Sequence, residues 1–282
     1  LSCPLIFTSR LRIACMSAAP VERVLRFGAH TEAAPRLSVL TPFYRYDPSA
    51  MLARLGCVPA GVELVLLDDG SKSATLLSDV LSAAHAAGAP TTVITRAENG
   101  GRAQARNRLL AAARGDYVLF LDADMLPDAP DFLARWLSLI ETRRPAAAFG
   151  GLSLQAVAAN AETALHHDMF ARSDCRNAAA RAQSPAQFTA TANLLVRRDV
   201  LEAIPFDNAY VGWGFEDVDW ALRVARTAEI VHVDNSAAHA GLDSVDTLLR
   251  KSRQAGPNFA RLAHKHPETV RRFAAHRVAR LR

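Results

Sequence analysis

The chain has 282 residues, half of them hydrophobic, and a formal charge of +5, which is enough apolar material for one large α/β domain or two small ones. Its four cysteines, Cys3, Cys15, Cys57 and Cys175, stand far apart with no Cys-x-x-Cys and no Cys/His pairing at zinc spacing; this excludes a zinc ribbon or a disulfide scaffold and favours reduced thiols in a cytoplasmic protein. No apolar run approaches the roughly 20 residues needed to cross a bilayer.

Residues 1–35 are expected to form a flexible N-terminal segment. Arg10 and Arg12 follow the apolar stretch rather than precede it, the wrong order for a secretory signal, and Met16 downstream of Leu1 makes residues 1–15 read as an extension without structure. Beyond Pro35, apolar runs of strand length alternate with alanine-rich stretches of helical length. The pattern predicts strands near 37–41, 63–68, 91–95, 116–122, 146–154, 190–197 and 229–234. Helices are predicted near 48–56, 73–87, 102–113, 129–143, 161–182, 216–227 and 243–265, the fourth starting at Asp128 with Pro130 in its first turn. This is an α/β chain with a mostly parallel central sheet covered by helices on both faces.

In such sheets ligands sit beyond the carboxyl ends of the strands. The loops there carry Thr41-Pro42-Phe43-Tyr44, Asp68-Asp69-Gly70-Ser71, Asn99-Gly100-Gly101-Arg102 and Asp122-Ala123-Asp124. The last is the most informative, because an apolar strand runs out into two carboxylates one residue apart. Charged oxygens at a strand mouth need a cation to meet them, and hard oxygen donors suit Mg²⁺ or Mn²⁺, which in turn suit a diphosphate. Asp68-Asp69-Gly70-Ser71 delivers two acids to a glycine turn, where one can accept from a base or ribose and the other can brace the loop; a plain Asp-Gly turn is the alternative. Gly100-Gly101 opens a helix whose N–H groups are expected to be free to face an anion, and Arg102 can add a charge-assisted bond to phosphate. The segment is neither a P-loop nor a dinucleotide fingerprint.

A third constellation is Tyr210-Val211-Gly212-Trp213-Gly214-Phe215-Glu216-Asp217. Glycines flank an indole of the kind sugars stack on, just ahead of two acids that enter a helix, where capping is the competing explanation. Trp220, further along that helix, reads as core.

Together with Leu37-Ser38-Val39-Leu40-Thr41-Pro42 and Ala105-Arg106-Asn107, these segments resemble the family 2 glycosyltransferases over about residues 37–250. The resemblance implies a GT-A fold spanning 36–250, with a nucleotide half at 36–125 and an acceptor half at 126–250, ahead of a basic helical tail at 251–282. The Gly-Trp-Gly-Phe-Glu-Asp run is also similar to the Trp-Gly-Gly-Glu-Asp pattern of galactosyltransferases and chondroitin-type polymerases, with Phe215 in place of the second glycine. It further implies an inverting, metal-dependent transfer from a nucleotide diphosphate sugar, a UDP-sugar in most such enzymes, to a glycan or lipid-linked glycan. Thr41 and Pro42 would border the nucleotide and Asp69 would hold the base. Arg102 and Asp122-Ala123-Asp124 would line the donor, with Asp122 facing the ribose. Asp124 would bind Mn²⁺ or Mg²⁺, joined by a late histidine, His239 in preference to His232. Asp217 would be the general base, and Trp213, Gly214 and Glu216 would meet the acceptor.

From Arg250 to Arg282 there are ten Lys or Arg residues against the single acid Glu268. Val270–Leu281 alternates apolar residues with arginines, as in a helix resting on the anionic inner face of a membrane. A nucleic-acid footprint would explain this tail but leave the acidic loops without purpose, so no nucleic-acid partner is expected. A sugar nucleotidyltransferase would want a glycine-rich basic loop after the first strand, where Thr41-Pro42-Phe43-Tyr44 stands instead. Processive synthases of the family carry Gln-x-x-Arg-Trp and membrane spans, and this sequence has neither.

Overall fold

The computed structural model describes residues 22–273 and His276, apart from Glu32 and Ala156. The first half contains β1 (Arg23–Phe27), β2 (Leu37–Phe43), α1 (Ser49–Leu55), β3 (Val62–Asp68), α2 (Ala74–Ala86), β4 (Thr91–Thr95), α3 (Arg102–Ala112), β5 (Tyr117–Leu121), β6 (Met125–Pro127) and α4 (Phe132–Arg143). The second contains β7 (Ala147–Phe149), β8 (Leu152–Ser153), α5 (Ala164–Ser173), α6 (Ala178–Arg181), β9 (Asn193–Arg197), α7 (Arg198–Ala203), α8 (Glu216–Val224), β10 (Ile230–His232), β11 (Ala237–His239), α9 (Val245–Lys265) and α10 (Pro267–Val270).

Eight strands form one sheet in the order β1-β4-β3-β2-β5-β9-β7-β10. Every residue of β3 is buried, as expected of a central strand covered on both faces by helices. β4, β3, β2 and β5 are parallel neighbours, and β10 is parallel to β7. Six of these eight strands run the same way, with β1 and β9 reversed, so the sheet is mixed but mostly parallel, as expected. A three-stranded sheet, β6-β11-β8, stands beside it.

Four expectations change. Within the segment expected to be flexible, Arg23–Phe27 is an edge strand registered on Thr91–Thr95. Its side chains are largely exposed, so backbone pairing rather than apolar burial holds it, and no hydrophobic pattern announces it. The strand expected at 146–154 is two strands split at Gly150-Gly151, where a side chain on Gly150 would strike Asn193, the Asn235 carbonyl and Trp136. The helix expected at 161–182 breaks into α5 and α6, because Asn177 caps a new start by accepting from the Ala180 N–H at 2.9 Å. Asp128 does not start α4; it accepts from the hydroxyls of Ser153 and Ser236, and the helix begins after Asp131.

The boundary at 250 also dissolves, since α9 runs through it without interruption. Leu262, Val270 and Phe273 form a small core with Phe215, Val218 and Phe259. The apolar residues of the described part of the tail thus pack on the protein rather than face a membrane; most of the Val270–Leu281 segment lies outside the described residues. No helix among the described residues is long and apolar enough to cross a bilayer.

One ion cluster fastens α8 to this C-terminal layer. Asp219, fully buried, accepts from Arg223 Nε at 2.8 Å, Lys265 Nζ at 2.6 Å and His266 Nε2 at 2.9 Å. Burial alone would raise its pKa, but the donors from Lys265, His266 and Arg223 outweigh that and hold it below the ordinary value. The stabilisation is therefore complete above the usual carboxylate pKa of about 4 and is lost as pH falls through the lower folded value. Asp219→Asn is expected to cost about 1–3 kcal/mol near neutral pH, since Lys265 and Arg223 retain access to water. Urea unfolding at pH 7 and at pH 3 checks this, with the difference between variant and parent shrinking at the lower pH.

Candidate active site

The small sheet assembles one side of the site. β6 pairs antiparallel with β11, placing Met125 opposite His239. This register sets Asp124 against the loop that follows His239: the Ala240 N–H donates to the Asp124 carbonyl at 2.9 Å, and His239 Nε2 lies 3.3 Å from Asp124 Oδ2. Gly241 allows the approach, because a Cβ there would strike the Asp124 carboxylate. The His239 ring stacks on Phe170, centroids 4.8 Å apart and planes 18° from parallel, which fixes its orientation; its Nδ1 is buried with no hydrogen-bond partner among the described residues. Burial pushes the Asp124 carboxyl up, but His239 and Arg102 outweigh it and keep the group below its ordinary range.

A divalent cation fits these two donors. Adjacent ligands each about 2.1 Å from an octahedral ion lie about 3 Å apart, close to the separation seen between Asp124 and His239. Among the described residues no set of three or more His, Cys, Asp or Glu side chains converges for a metal, so further coordination would come from ligand oxygens and water.

The other side is built around Arg106. Its side chain is 1% exposed, yet it is a full positive charge. Nη1 donates to Glu216 Oε1 at 2.9 Å and Nη2 to Asp122 Oδ1 at 3.1 Å. Glu216 opens α8 and Asp122 follows β5, so one guanidinium ties the elbow after β5 to the helix carrying Asp217. Arg102 stands 3.7 Å from the same Glu216 oxygen and is 44% exposed, which leaves it open to solvent. Burial would raise the Glu216 pKa, but Arg102 and Arg106 hold it below the usual range. Among the described residues Asp217 makes no such ion pair; its Oδ1 accepts from the neighbouring Val218 N–H at 2.8 Å, and burial together with the adjacent Glu216 carboxylate pushes it up to about 6.

Several expected site residues sit elsewhere than anticipated. Thr41 lies inside β2, fully buried, its hydroxyl without a partner among the described residues; Pro42 beside it is half-buried, and the loop is exposed from Tyr44 to Asp47. Asp69 does not present free oxygens. Oδ1 accepts from Gly100 N–H at 3.0 Å and Oδ2 from Gly101 N–H at 2.9 Å, with Arg96 at 3.3 Å. The helix start expected to await an anion is thus already capped by an internal one, and a plain stretch of glycines could not announce which acid would fold onto it. Glu216, expected to meet the acceptor, is 2% exposed and spent on Arg106. Ala123 is buried at the elbow. Trp213 and Gly214 remain half-exposed ahead of α8. His232 accepts from Arg181 at 3.2 Å and sits against the Pro185 carbonyl; burial drives it down to about 4, so it is packed, as Trp220 is.

Three residues escaped the sequence reading. Arg106 stood in a quoted motif but had no role. Tyr46 lies near the elbow, its phenol raised by burial and then by Asp124 and Asp47. Asn258 donates from Nδ2 to the carbonyls of Val211, Trp213 and Gly214 at 3.0, 3.2 and 3.1 Å, clamping the tryptophan loop from α9. Phe215, standing where the similar pattern has glycine, adopts φ +72°, a conformation that costs an L side chain roughly 1–2 kcal/mol; its contact with Phe259 at 5.2 Å offsets this.

Residues 38–204 match the family described as Glycosyl transferase family 2, and the chain belongs to that family. It is 34% identical over 125 residues to TuaG of Bacillus subtilis, named as a teichuronic acid biosynthesis glycosyltransferase, covering 43% of this chain and 48% of that protein. To AmsB of Erwinia amylovora, named for amylovoran biosynthesis, it is 34% identical over 110 residues, 37% of this chain and 35% of AmsB. The match thus spans about half or less of these relatives. Among solved structures, the mannosyltransferase PcManGT of Pyrobaculum calidifontis, in complex with GDP-Man and Mn²⁺, superposes with a TM-score of 0.58 at 20% identity, over 83% of this chain and 65% of that one. Glucosyl-3-phosphoglycerate synthase of Mycobacterium tuberculosis gives 0.52 at 21% identity, over 78% and 76%. At these identities the likeness is one of fold, the GT-A fold.

Arg106→Met should leave Glu216 buried without its closest counter-charge and cost about 3–5 kcal/mol in urea unfolding. Adding Glu216→Gln should recover part of that loss, because the two side chains form one unit; additive losses would show that they do not.

Proposed function

We propose that this chain transfers a glycosyl group from a nucleoside diphosphate sugar, a uridine diphosphate sugar in this reading, to a hydroxyl of a glycan or lipid-linked glycan, with inversion at the anomeric carbon. The observation that carries the proposal is the pairing of two unlike acidic sites around Arg102, which feels the charges of Glu216, Asp122, Asp217 and Asp124 together. Asp124 is held ionised beside His239, whereas Asp217 is raised to about 6 beside a carboxylate already committed to Arg106. Carboxylates pushed apart in this way take different tasks. The family supports a nucleotide-sugar donor, as do fold neighbours solved with UDP-GlcNAc and with UDP and Mn²⁺.

In this reading Asp217 accepts the proton of the attacking hydroxyl. A base titrating near 6 is mostly ionised at neutral pH and holds a proton more tightly than an ordinary aspartate, both of which favour general-base work. Glu216 keeps that pKa up, Arg106 keeps Glu216 in place, and Arg102 offers its exposed guanidinium to a phosphate oxygen. Asp124 and His239 would hold Mn²⁺ or Mg²⁺, the imidazole nitrogen inclining the site to Mn²⁺. When bound, the cation would offset the negative charge gathering on the departing diphosphate. One base without a carboxylate placed as covalent nucleophile supports direct displacement, and so inversion.

Asp217→Asn should lower kcat by about 10²–10⁴ while calorimetry shows UDP and Mn²⁺ binding little changed; Asp124→Ala should weaken binding and turnover together. Loss of UDP binding in Asp217→Asn would overturn the division of roles. Because the base must be ionised, kcat/KM of the parent should fall as pH drops through about 6, and an acidic limb near 4 would remove Asp217 from the role.

A further inference from the structure

The wall between His239 and the tryptophan loop carries polar groups that the proposed chemistry does not use. His166, on α5, sets its ring 5.7 Å from that of His239. Its Nδ1 accepts from the Asp243 N–H at 2.7 Å, so a neutral ring carries its proton on Nε2. Asp243 Oδ2 accepts from Lys251 Nζ at 2.5 Å, and Lys251 in turn lies 5.9 Å from the centre of the Trp213 ring. The series His239, His166, Asp243, Lys251, Trp213 is therefore continuous from the elbow to the loop that leads into Asp217.

None of these side chains is sealed away: the side chains of His166, Asp243 and Lys251 are 13%, 16% and 29% exposed, and Trp213 is half-buried. Trp213 is also held still, since Asn258 grips the carbonyls on either side of it and its own. We infer that Trp213, Lys251, Asp243 and His166 form an acceptor subsite for an uncharged pyranose, an inference that rests on the glycosyl-transfer reading above. A pyranose ring has an apolar face to lay on an indole and adjacent hydroxyls that both donate and accept. Lys251 donates to one hydroxyl, Asp243 accepts from its neighbour, and His166 adds a further N–H. Because Lys251 and Asp243 neutralise each other, the wall offers no surplus positive charge to a uronate or phosphate, and Asp243 repels one. The selectivity therefore favours neutral sugars.

The test uses the full chain with UDP and Mn²⁺, and methyl glucopyranoside, methyl galactopyranoside and methyl glucuronide as probes. Trp136 and Trp220 are fully buried, so tryptophan fluorescence reports on Trp213, with saturation-transfer NMR alongside it. At least one neutral glycoside should quench saturably, and the glucuronide should not. Lys251→Gln and Asp243→Asn should each weaken that binding by about tenfold or more, as loss of a charge-assisted hydrogen bond implies, with UDP and Mn²⁺ affinity unchanged; Lys251→Arg should restore part of it. Preferential binding of the glucuronide, no response to either neutral glycoside, or an equal loss of UDP affinity in the variants would each overturn the subsite. Failure of the parent chain to bind UDP with Mn²⁺ would instead strike the functional reading beneath it, and the subsite with it.

Discussion

A positive charge buried to 1% exposure is tolerable only if fixed negative charge surrounds it, and the structure of the cleft follows from how Arg106 meets that requirement. Its two partners lie 16 and 110 residues away in sequence. One follows β5; the other opens α8. Satisfying the guanidinium therefore joins the elbow after β5 to the start of α8, the helix that carries Asp217. It also decides their chemistry, because Glu216, committed to Arg106, remains charged next to Asp217 and makes ionisation there harder. A salt bridge of this kind is weak evidence for stability but good evidence for alignment.

The second constraint is backbone register. Asp124 and His239 stand 115 positions apart in the chain, and short antiparallel pairing between β6 and β11 brings them together. Such strands, three residues each, bury little and are stabilised by what surrounds them: Gly241 lets the loop close on Asp124, and Phe170 braces the imidazole. The C-terminal layer plays the same part for the opposite wall. Asp219 anchors α8 to Lys265 and His266, while Asn258 holds the loop that carries Trp213. Residues 251–273, expected as a basic helical tail, pack on α8 and on the loop that carries Trp213.

What the sequence disclosed follows from these forces. Continuous apolar runs such as 62–68 and 117–121 place the central strands, because burial on both faces leaves a pattern that depends only on local composition. Asp122 and Asp124 are legible at the end of such a run for the same reason, and so is Asp217 after its glycines. The edge strand Arg23–Phe27, the three-residue β6 and β11, and the break at Gly150-Gly151 depend on partners distant in the chain, and no window of neighbours records them. Asp69 shows the limit most clearly. Its turn follows β3 where the apolar run ends, yet which donors its oxygens would find depends on the Gly100-Gly101 backbone folding back over it. Arg106 is hidden in the same way: an arginine in a helix looks like a solvated charge until its two distant partners are in place.

Diffraction at the manganese absorption edge, from crystals of the protein grown with UDP and Mn²⁺, tests this arrangement most directly. The expected result is one anomalous peak within bonding distance of both Asp124 and His239, on the diphosphate, with Arg106 still joining Asp122 to Glu216 and Asp217 facing the same cleft. A peak remote from either ligand, or a bound nucleotide with Asp217 directed away from it, would contradict the account.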